Sequence, residues 1–240
     1  MPTLKGYEMS SCCSNASPDA LRPQTADCTK LPVAVIGGGP VGLAAAAHLL
    51  ERGLEPVIFE AGSSVGMAPR DWGHVHLFSP WRYNIDGACR ALLNRHGWTP
   101  PDAGSFPTGH DLASRYLEPL AATPEIAGHL RLATRVTGIA RANAGKVRGL
   151  GREEQPFDLR FKNAEGLEGR LLARAVVVAT GTWGHPNPAG ASGLPAIGEE
   201  AAADRVRYGM PDVLGAARDR YAGKRVLVVG SGHSAIGTLI

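Results

Sequence analysis

The chain has 240 residues, 44% of them hydrophobic and 20% charged, with a formal net charge of +3 at pH 7. That apolar content supports the core of one large or two smaller domains. So small a charge, carried by scattered basic residues, excludes a nucleic-acid surface as the organising feature. The opening stretch, Met1 to about Lys30, is polar and broken by Pro2, Pro18 and Pro23. It has no apolar core of signal-peptide length, so the expectation is a disordered tail on a soluble, cytoplasmic protein. Cys12, Cys13 and Cys28 fall in this tail and Cys89 in the body, with no Cys-x-x-Cys pair. The spacing therefore indicates neither a zinc site nor a redox-active dithiol. Two readings of the tail thiols stay open: capture of a soft metal or metalloid, and plain reduced cysteines.

The first regular element is the apolar run Leu31 to Ile36, with the length and composition of a buried parallel strand. Gly37-Gly38-Gly39-Pro40-Val41-Gly42 follows and opens an alanine-rich helix that runs to Arg52 and closes at Gly53. A second strand, Pro56 to Phe59, stops at Glu60. Strand, glycine turn, helix, strand and acid make up a complete dinucleotide-binding unit. In it Gly37 permits the tight turn, Gly39 lets the backbone approach a pyrophosphate, and Gly42 lets the helix pack close to the strand. The helix start presents its amides to the phosphates. Glu60 lies 18 residues beyond Gly42, where a carboxylate can accept hydrogen bonds from a ribose 2′-hydroxyl.

Arg70 to Asn84 follows, with Trp72, Trp81, His74, His76, Arg70 and Arg82 and no clean helical or strand period. Its tryptophans can wall off solvent, its arginines can stabilise an anion, and its histidines alternate as strand neighbours. A packed loop is the alternative. A helix reads from Gly87 to about His96, and Thr108 with Asp111 predicts the N-cap of another, with Leu112, Tyr116 and Leu117 on one face. Leu130 to Val136 and Phe157 to Phe161 alternate like strands. Leu171 to Arg174 leads into a buried strand, Ala175 to Ala179, which ends at Thr180-Gly181. A glycine- and proline-rich connection comes next. The end of the chain repeats the beginning: Lys224 to Val229 predicts a strand, and Gly230-Ser231-Gly232-His233-Ser234-Ala235 is a second glycine turn. His233 reads as an exposed loop residue within that turn.

Two glycine fingerprints with Ala179-Thr180-Gly181 between them resemble the two-dinucleotide-binding flavoproteins, and within them the flavin-containing monooxygenase-like group. The resemblance covers about residues 31–240. It implies an α/β, Rossmann-like three-layer fold with a parallel central sheet and an incomplete second Rossmann unit. It also implies a FAD-binding domain over 31–215 and the start of a truncated NAD(P)-binding domain over 220–240. The same resemblance implies FAD at Gly37, Gly39, Pro40, Val41, Gly42 and Glu60. A backbone contact to adenine at Val136 and chain passage beside FAD at Ala179, Thr180 and Gly181 follow from it too. Gly230, Gly232 and Ala235 would face the pyrophosphate of NADPH or NADH. The Phe78 to Asn84 block is also similar to monooxygenase-like flavoproteins of bacterial arsenic resistance, and Asn84 would then hydrogen-bond the flavin. The group's Phe-x-Gly-x-x-x-His motif is missing: the corresponding stretches, Leu194 to Glu199 and Arg207 to Pro211, hold no histidine.

The resulting expectation is a FAD-dependent, NAD(P)H-linked oxidoreductase, monooxygenase-like, acting on a small molecule and using no metal. Two alternatives stand beside it. One is a non-catalytic nucleotide-binding remnant, and the other an NAD-binding protein that uses only the first fingerprint.

Overall fold

The structure is a computed structural model, and it describes residues 28–147 and 149–239. After a 3-10 turn at Cys28–Lys30 come β1 (Val33–Ile36), α1 (Pro40–Glu51), β2 (Pro56–Phe59), α2 (Met67–Asp71), α3 (Trp81–Asn84) and α4 (Gly87–Arg95). A broken helix follows: α5 (Gly109–Leu112), a π turn over Ala113–Leu117, and α6 (Glu118–Ala121). Then come α7 (Pro124–Ala127), β3 (Leu130–Arg131), β4 (Arg135–Arg141), β5 (Phe157–Lys162), β6 (Glu168–Ala173), β7 (Ala175–Val178), α8 (Arg218–Tyr221) and α9 (His233–Leu239).

β3, β2, β1 and β7 form a parallel sheet in that order, with Val33 opposite both Pro56 and Ala175. Both faces of this sheet are covered, which is why its strands read as unbroken apolar runs. Residues alternate between two clusters, as a strand's period of two requires. Val35 and Ile58 face α1 and the helices of 85–126, among them Leu43, Leu92, Leu93, Tyr116, Leu117 and Leu120. Ala34, Val57 and Phe59 face a second, antiparallel sheet of β4, β5 and β6, meeting Leu159 and Ala173. Helices, parallel sheet and antiparallel sheet are the three layers expected.

α4 is capped by Asp86, whose Oδ1 accepts from the amides of Ala88 (2.9 Å) and Cys89 (3.2 Å). Thr108 and Asp111 form the reciprocal capping box at the start of α5. In the π turn the Glu118 amide donates to Ala113 O. Pro119 carries no N–H, so the Arg115 carbonyl loses its helical donor; the Trp98 indole Nε1 donates to it instead, at 3.0 Å.

Two predicted strands differ in the structure. Leu130 to Val136 is two strands in two sheets, because Ala133 takes a left-handed conformation (φ +48°) between them. The Ala133 amide donates to Gly62 O (2.7 Å) and the Thr134 amide to Glu60 O (2.8 Å), and these bonds turn the chain from one sheet to the other. Lys224 to Val229 is not a strand: Val226, Leu227 and Val229 are exposed and no neighbouring strand pairs with them among the described residues. A strand exists only through its ladder, and an apolar alternation alone does not supply one.

Candidate functional site

The parallel strands end at a crevice whose floor is the first glycine turn. β1 pairs with β2 on one side and β7 on the other, so the chain leaving β1 sits between two diverging connections, the usual ligand position in such sheets. Gly37 has φ +111°, and its amide donates to Phe59 O at 2.8 Å. A Cβ there would lie 2.5 Å from the Ala179 carbonyl oxygen, so only glycine fits between β1 and β7. A Cβ at Gly42 would overlap the Gly37 carbonyl oxygen, which is what allows α1 to lie against the turn.

Gly39 differs from both. It is the N-cap of α1 with φ −86° and ψ −173°, a conformation open to any residue, and a Cβ there would meet nothing within 4 Å. It gives α1 no side-chain cap, so the first-turn amides that follow Pro40, those of Val41 and Gly42, receive none. Val41 is 68% exposed. No atom of the protein requires a glycine there for lack of room, and its missing side chain leaves empty space in front of helix amides.

Glu60 closes one side of the crevice. Its Oε2 accepts from the Gly38 amide and its Oε1 from the Gly62 amide, both at 2.7 Å. Its backbone is fixed as well, with Glu60 N donating to Arg131 O at 2.9 Å. Each carboxylate oxygen retains a second lone pair, so an anchored acceptor remains for a hydroxyl. On the opposite side the Ala179 amide donates to Ile36 O (2.8 Å), and exposed Thr180 and Gly181 (φ +62°) follow. The structure thus brings Gly37, Gly39, Pro40, Val41, Gly42, Glu60, Ala179, Thr180 and Gly181 to one end of the sheet. Val136 lies in β4 opposite Phe161, two residues past the Thr134 amide that bonds Glu60 O. Gly230 (φ +131°), Gly232 and Ala235 form a separate turn at the start of α9, where the Ala235 amide donates to Gly232 O at 3.0 Å.

The Arg70 to Asn84 segment is more ordered than its sequence predicts, and most of its polar groups are engaged within the protein. Trp81 is 1% exposed in the helix-side core, and Trp72 packs against the same cluster. Arg70 pairs with Glu118, and Arg82 lies over the Tyr83 ring at 4.9 Å. Asn84 is committed to its own loop: Nδ2 donates to Ser79 O (2.8 Å) and Pro80 O (3.1 Å), and Oδ1 accepts from Ser79 Oγ (2.9 Å). In this arrangement neither Asn84 amide hydrogen is left over for a flavin. His74 and His76 are exposed, and the described residues contain no cluster of three metal-ligating side chains. Cys12 and Cys13 lie outside the described residues; the Cys28 thiol donates to Glu154 O at 3.6 Å. Burial pushes the Cys89 thiol up to about 12, so it is an inert core residue.

The connection from Gly181 to Ala217 is irregular, as expected, but Glu199 organises it. Its carboxylate accepts from the amides of Ala189 (3.0 Å) and Ala196 (2.6 Å) and from the Tyr208 hydroxyl. The Tyr208 hydroxyl chiefly, then these amides, holds the Glu199 carboxyl below the ordinary range. A cavity of about 300 Å³ opens beside it, lined by Pro186, Pro188, Pro195, Arg207 and Tyr208. Trp183 Nε1 donates to Asp71 Oδ2 at 3.1 Å, tying the connection to α2. Neither clip was visible in the sequence, where a lone Glu and a lone Trp in a loop carry no spacing signal.

Fold and crevice together define a dinucleotide-binding α/β protein. The chain belongs to the pyridine nucleotide-disulphide oxidoreductase family, whose model matches residues 34–240. No curated protein matches it. Among solved structures it is similar to the bacillithiol disulfide reductase Bdr (YpdA) from Bacillus cereus, with 23% identity, TM-score 0.50, and coverage of 65% of this chain and 41% of that one. It is also similar to a flavin-containing monooxygenase from Stenotrophomonas maltophilia, at 32% identity, TM-score 0.44, and coverage of 65% and 40%. A third likeness is to a steroid monooxygenase bound to NADP, at 25% identity, TM-score 0.46, and coverage of 63% and 26%. The chain spans about two fifths of the length of the first two. No helix among the described residues is long and apolar enough to cross a membrane.

Proposed function

We propose that this chain is the FAD-binding part of a flavin-dependent, NAD(P)H-linked oxidoreductase, monooxygenase-like in class, acting on a small molecule. The observation that carries the reading is Gly39: a Cβ there would meet nothing within 4 Å, beside an anchored acceptor at Glu60. The residues present fit the ADP half of FAD. Gly39 leaves room for the pyrophosphate, the amides of Val41 and Gly42 supply donors to it, and Glu60 accepts from the ribose. Ala179 to Gly181 would line the path toward the flavin ring, and Val136 would meet the adenine. When bound, FAD supplies the redox chemistry; the protein positions it and excludes water. Gly230, Gly232 and Ala235 would take the pyrophosphate of the nicotinamide dinucleotide.

The reading is tested by the flavin content of the purified protein. Absorption in the blue with FAD released on denaturation supports it, and colourless protein that refuses added FAD overturns it. Hydride transfer needs the donor held against the flavin, and Val226 to Val229 make no strand to set the second turn. Anaerobic mixing with NADPH or NADH is therefore expected to bleach the flavin more slowly than the roughly 1–1000 per second of ordinary enzymes. Bleaching within that range would show the second turn to be sufficient.

A further inference from the structure

We infer that Phe78 is a positioning residue for the second glycine turn, holding it in place by stacking on His233; the functional meaning of the contact rests on the reading of Gly230 to Ala235 as a nicotinamide-dinucleotide turn. The Phe78 ring is 75% exposed, which alone says nothing, since single exposed apolar residues are common. Its partner gives it a role. The Phe78 and His233 ring centroids lie 4.4 Å apart with planes 18° from parallel, so the one faces the other. His233 directly follows Gly232 and is the first residue of α9.

The platform beneath Phe78 is braced. The Leu77 amide donates to Pro107 O (2.8 Å) and the Trp81 amide to Ser105 O (3.0 Å), so the loop is zipped to 105–107 on both sides of Phe78. Asn84 ties Ser79 and Pro80, the two residues after Phe78, and Trp81 anchors the segment in the core. The turn, by contrast, has little of its own to hold it. Val226 to Val229 pair with no strand among the described residues, and Ile236 (50%) and Leu239 (68%) are exposed. A second contact lies farther along α9, where a Cβ at Gly237 would come within 2.8 Å of Met210 Cε. Phe78 at the turn and Met210 along the helix are thus two points at which α9 meets the rest of the protein, and of the two Phe78 is the one that touches the glycine turn itself.

The test uses the full 240-residue chain as wild type, Phe78→Ala, Phe78→Trp, His233→Ala and the Phe78→Ala/His233→Ala double variant. Three quantities are read: hydrogen exchange of the 233–239 amides, NADP+ affinity by calorimetry, and FAD content. Phe78→Ala is expected to speed that exchange and weaken NADP+ by about 3- to 10-fold, the scale of one aromatic stack, at unchanged FAD content. Phe78→Trp restores both, and His233→Ala adds nothing to Phe78→Ala. Exchange and NADP+ affinity unchanged in Phe78→Ala would overturn the inference, as would a parallel loss of FAD, which would mark general loosening. If exchange responds while the wild type binds no NADP+, the positioning contact stands and the nicotinamide reading of the turn fails.

Discussion

Gly39→Ala separates what the fold needs from what a ligand needs. The backbone at Gly39 (φ −86°, ψ −173°) is accessible to alanine, and the added methyl meets nothing within 4 Å. In the ligand-free protein the gain from a stiffer unfolded chain is opposed by alanine's poorer N-cap preference, so stability should stay within about 1 kcal/mol of wild type. The same methyl stands where a pyrophosphate must approach the α1 amides. Losing one hydrogen bond to a charged oxygen costs about 1.5–3 kcal/mol, so FAD should weaken by roughly 10- to 150-fold. Gly42→Ala has the opposite signature. Its methyl overlaps the Gly37 carbonyl oxygen, a backbone atom that cannot rotate away, and overpacking of this kind costs about 1–3 kcal/mol or more. Urea unfolding of the ligand-free variants and FAD titration by flavin fluorescence read the two effects separately. Gly39→Ala that binds FAD within twofold of wild type, or that destabilises as much as Gly42→Ala, would refute the reasoning.

Three further outcomes follow from the same geometry. FAD affinity should fall in the order wild type, Glu60→Gln, Glu60→Ala over about 10- to 100-fold, since a charge-assisted bond contributes about 1.5–3 kcal/mol; equal affinities by titration would remove Glu60 from the site. Trp98→Phe takes away the donor to the Arg115 carbonyl that Pro119 leaves open, and should lower stability by about 1 kcal/mol in urea; an unchanged midpoint would show that water replaces the indole. At Asp86, burial alone would raise the carboxyl, but the Cys89 amide, His48 and the Ala88 amide outweigh it and hold it below the ordinary value. Its contribution is therefore complete above the unfolded value of about 3.9 and is lost as pH falls through the lower folded value. Asp86→Asn should flatten stability against pH in that acid window while keeping the cap, whereas Asp86→Ala should lose about 1 kcal/mol at neutral pH; acid unfolding curves identical to wild type for both would contradict this.

The sequence was most legible where local and long-range demands coincide. β1, the first turn, α1, β2 and Glu60 each satisfy a local rule, and the same residues are those the sheet and crevice require. The Asp111 capping box was legible for the same reason. What was missed depends on partners distant in sequence. Ala133 gives no sign of its left-handed turn, because the bonds that its own amide and the Thr134 amide donate to Gly62 O and Glu60 O impose it. β6 was missed as a strand of its own, because Leu171 to Arg174 reads only as the lead-in to Ala175; Glu168 and Gly169 join it through pairing with Lys162 and Phe161. Val226 to Val229 have a strand's composition and lack a ladder. Around the site, the resemblance pointed the Asn84 side chain toward a flavin, whereas Ser79 and Pro80 claim it from five and four residues away.

The central claim is that the first glycine turn holds FAD through its ADP half. Titration of the flavin-free protein with FAD and with FMN, followed by displacement with ADP, tests it most directly. The account predicts saturation at one FAD per chain, no comparable binding of FMN, which lacks the adenosine half, and release of FAD by ADP. Equal binding of FMN and FAD with no displacement by ADP would contradict it.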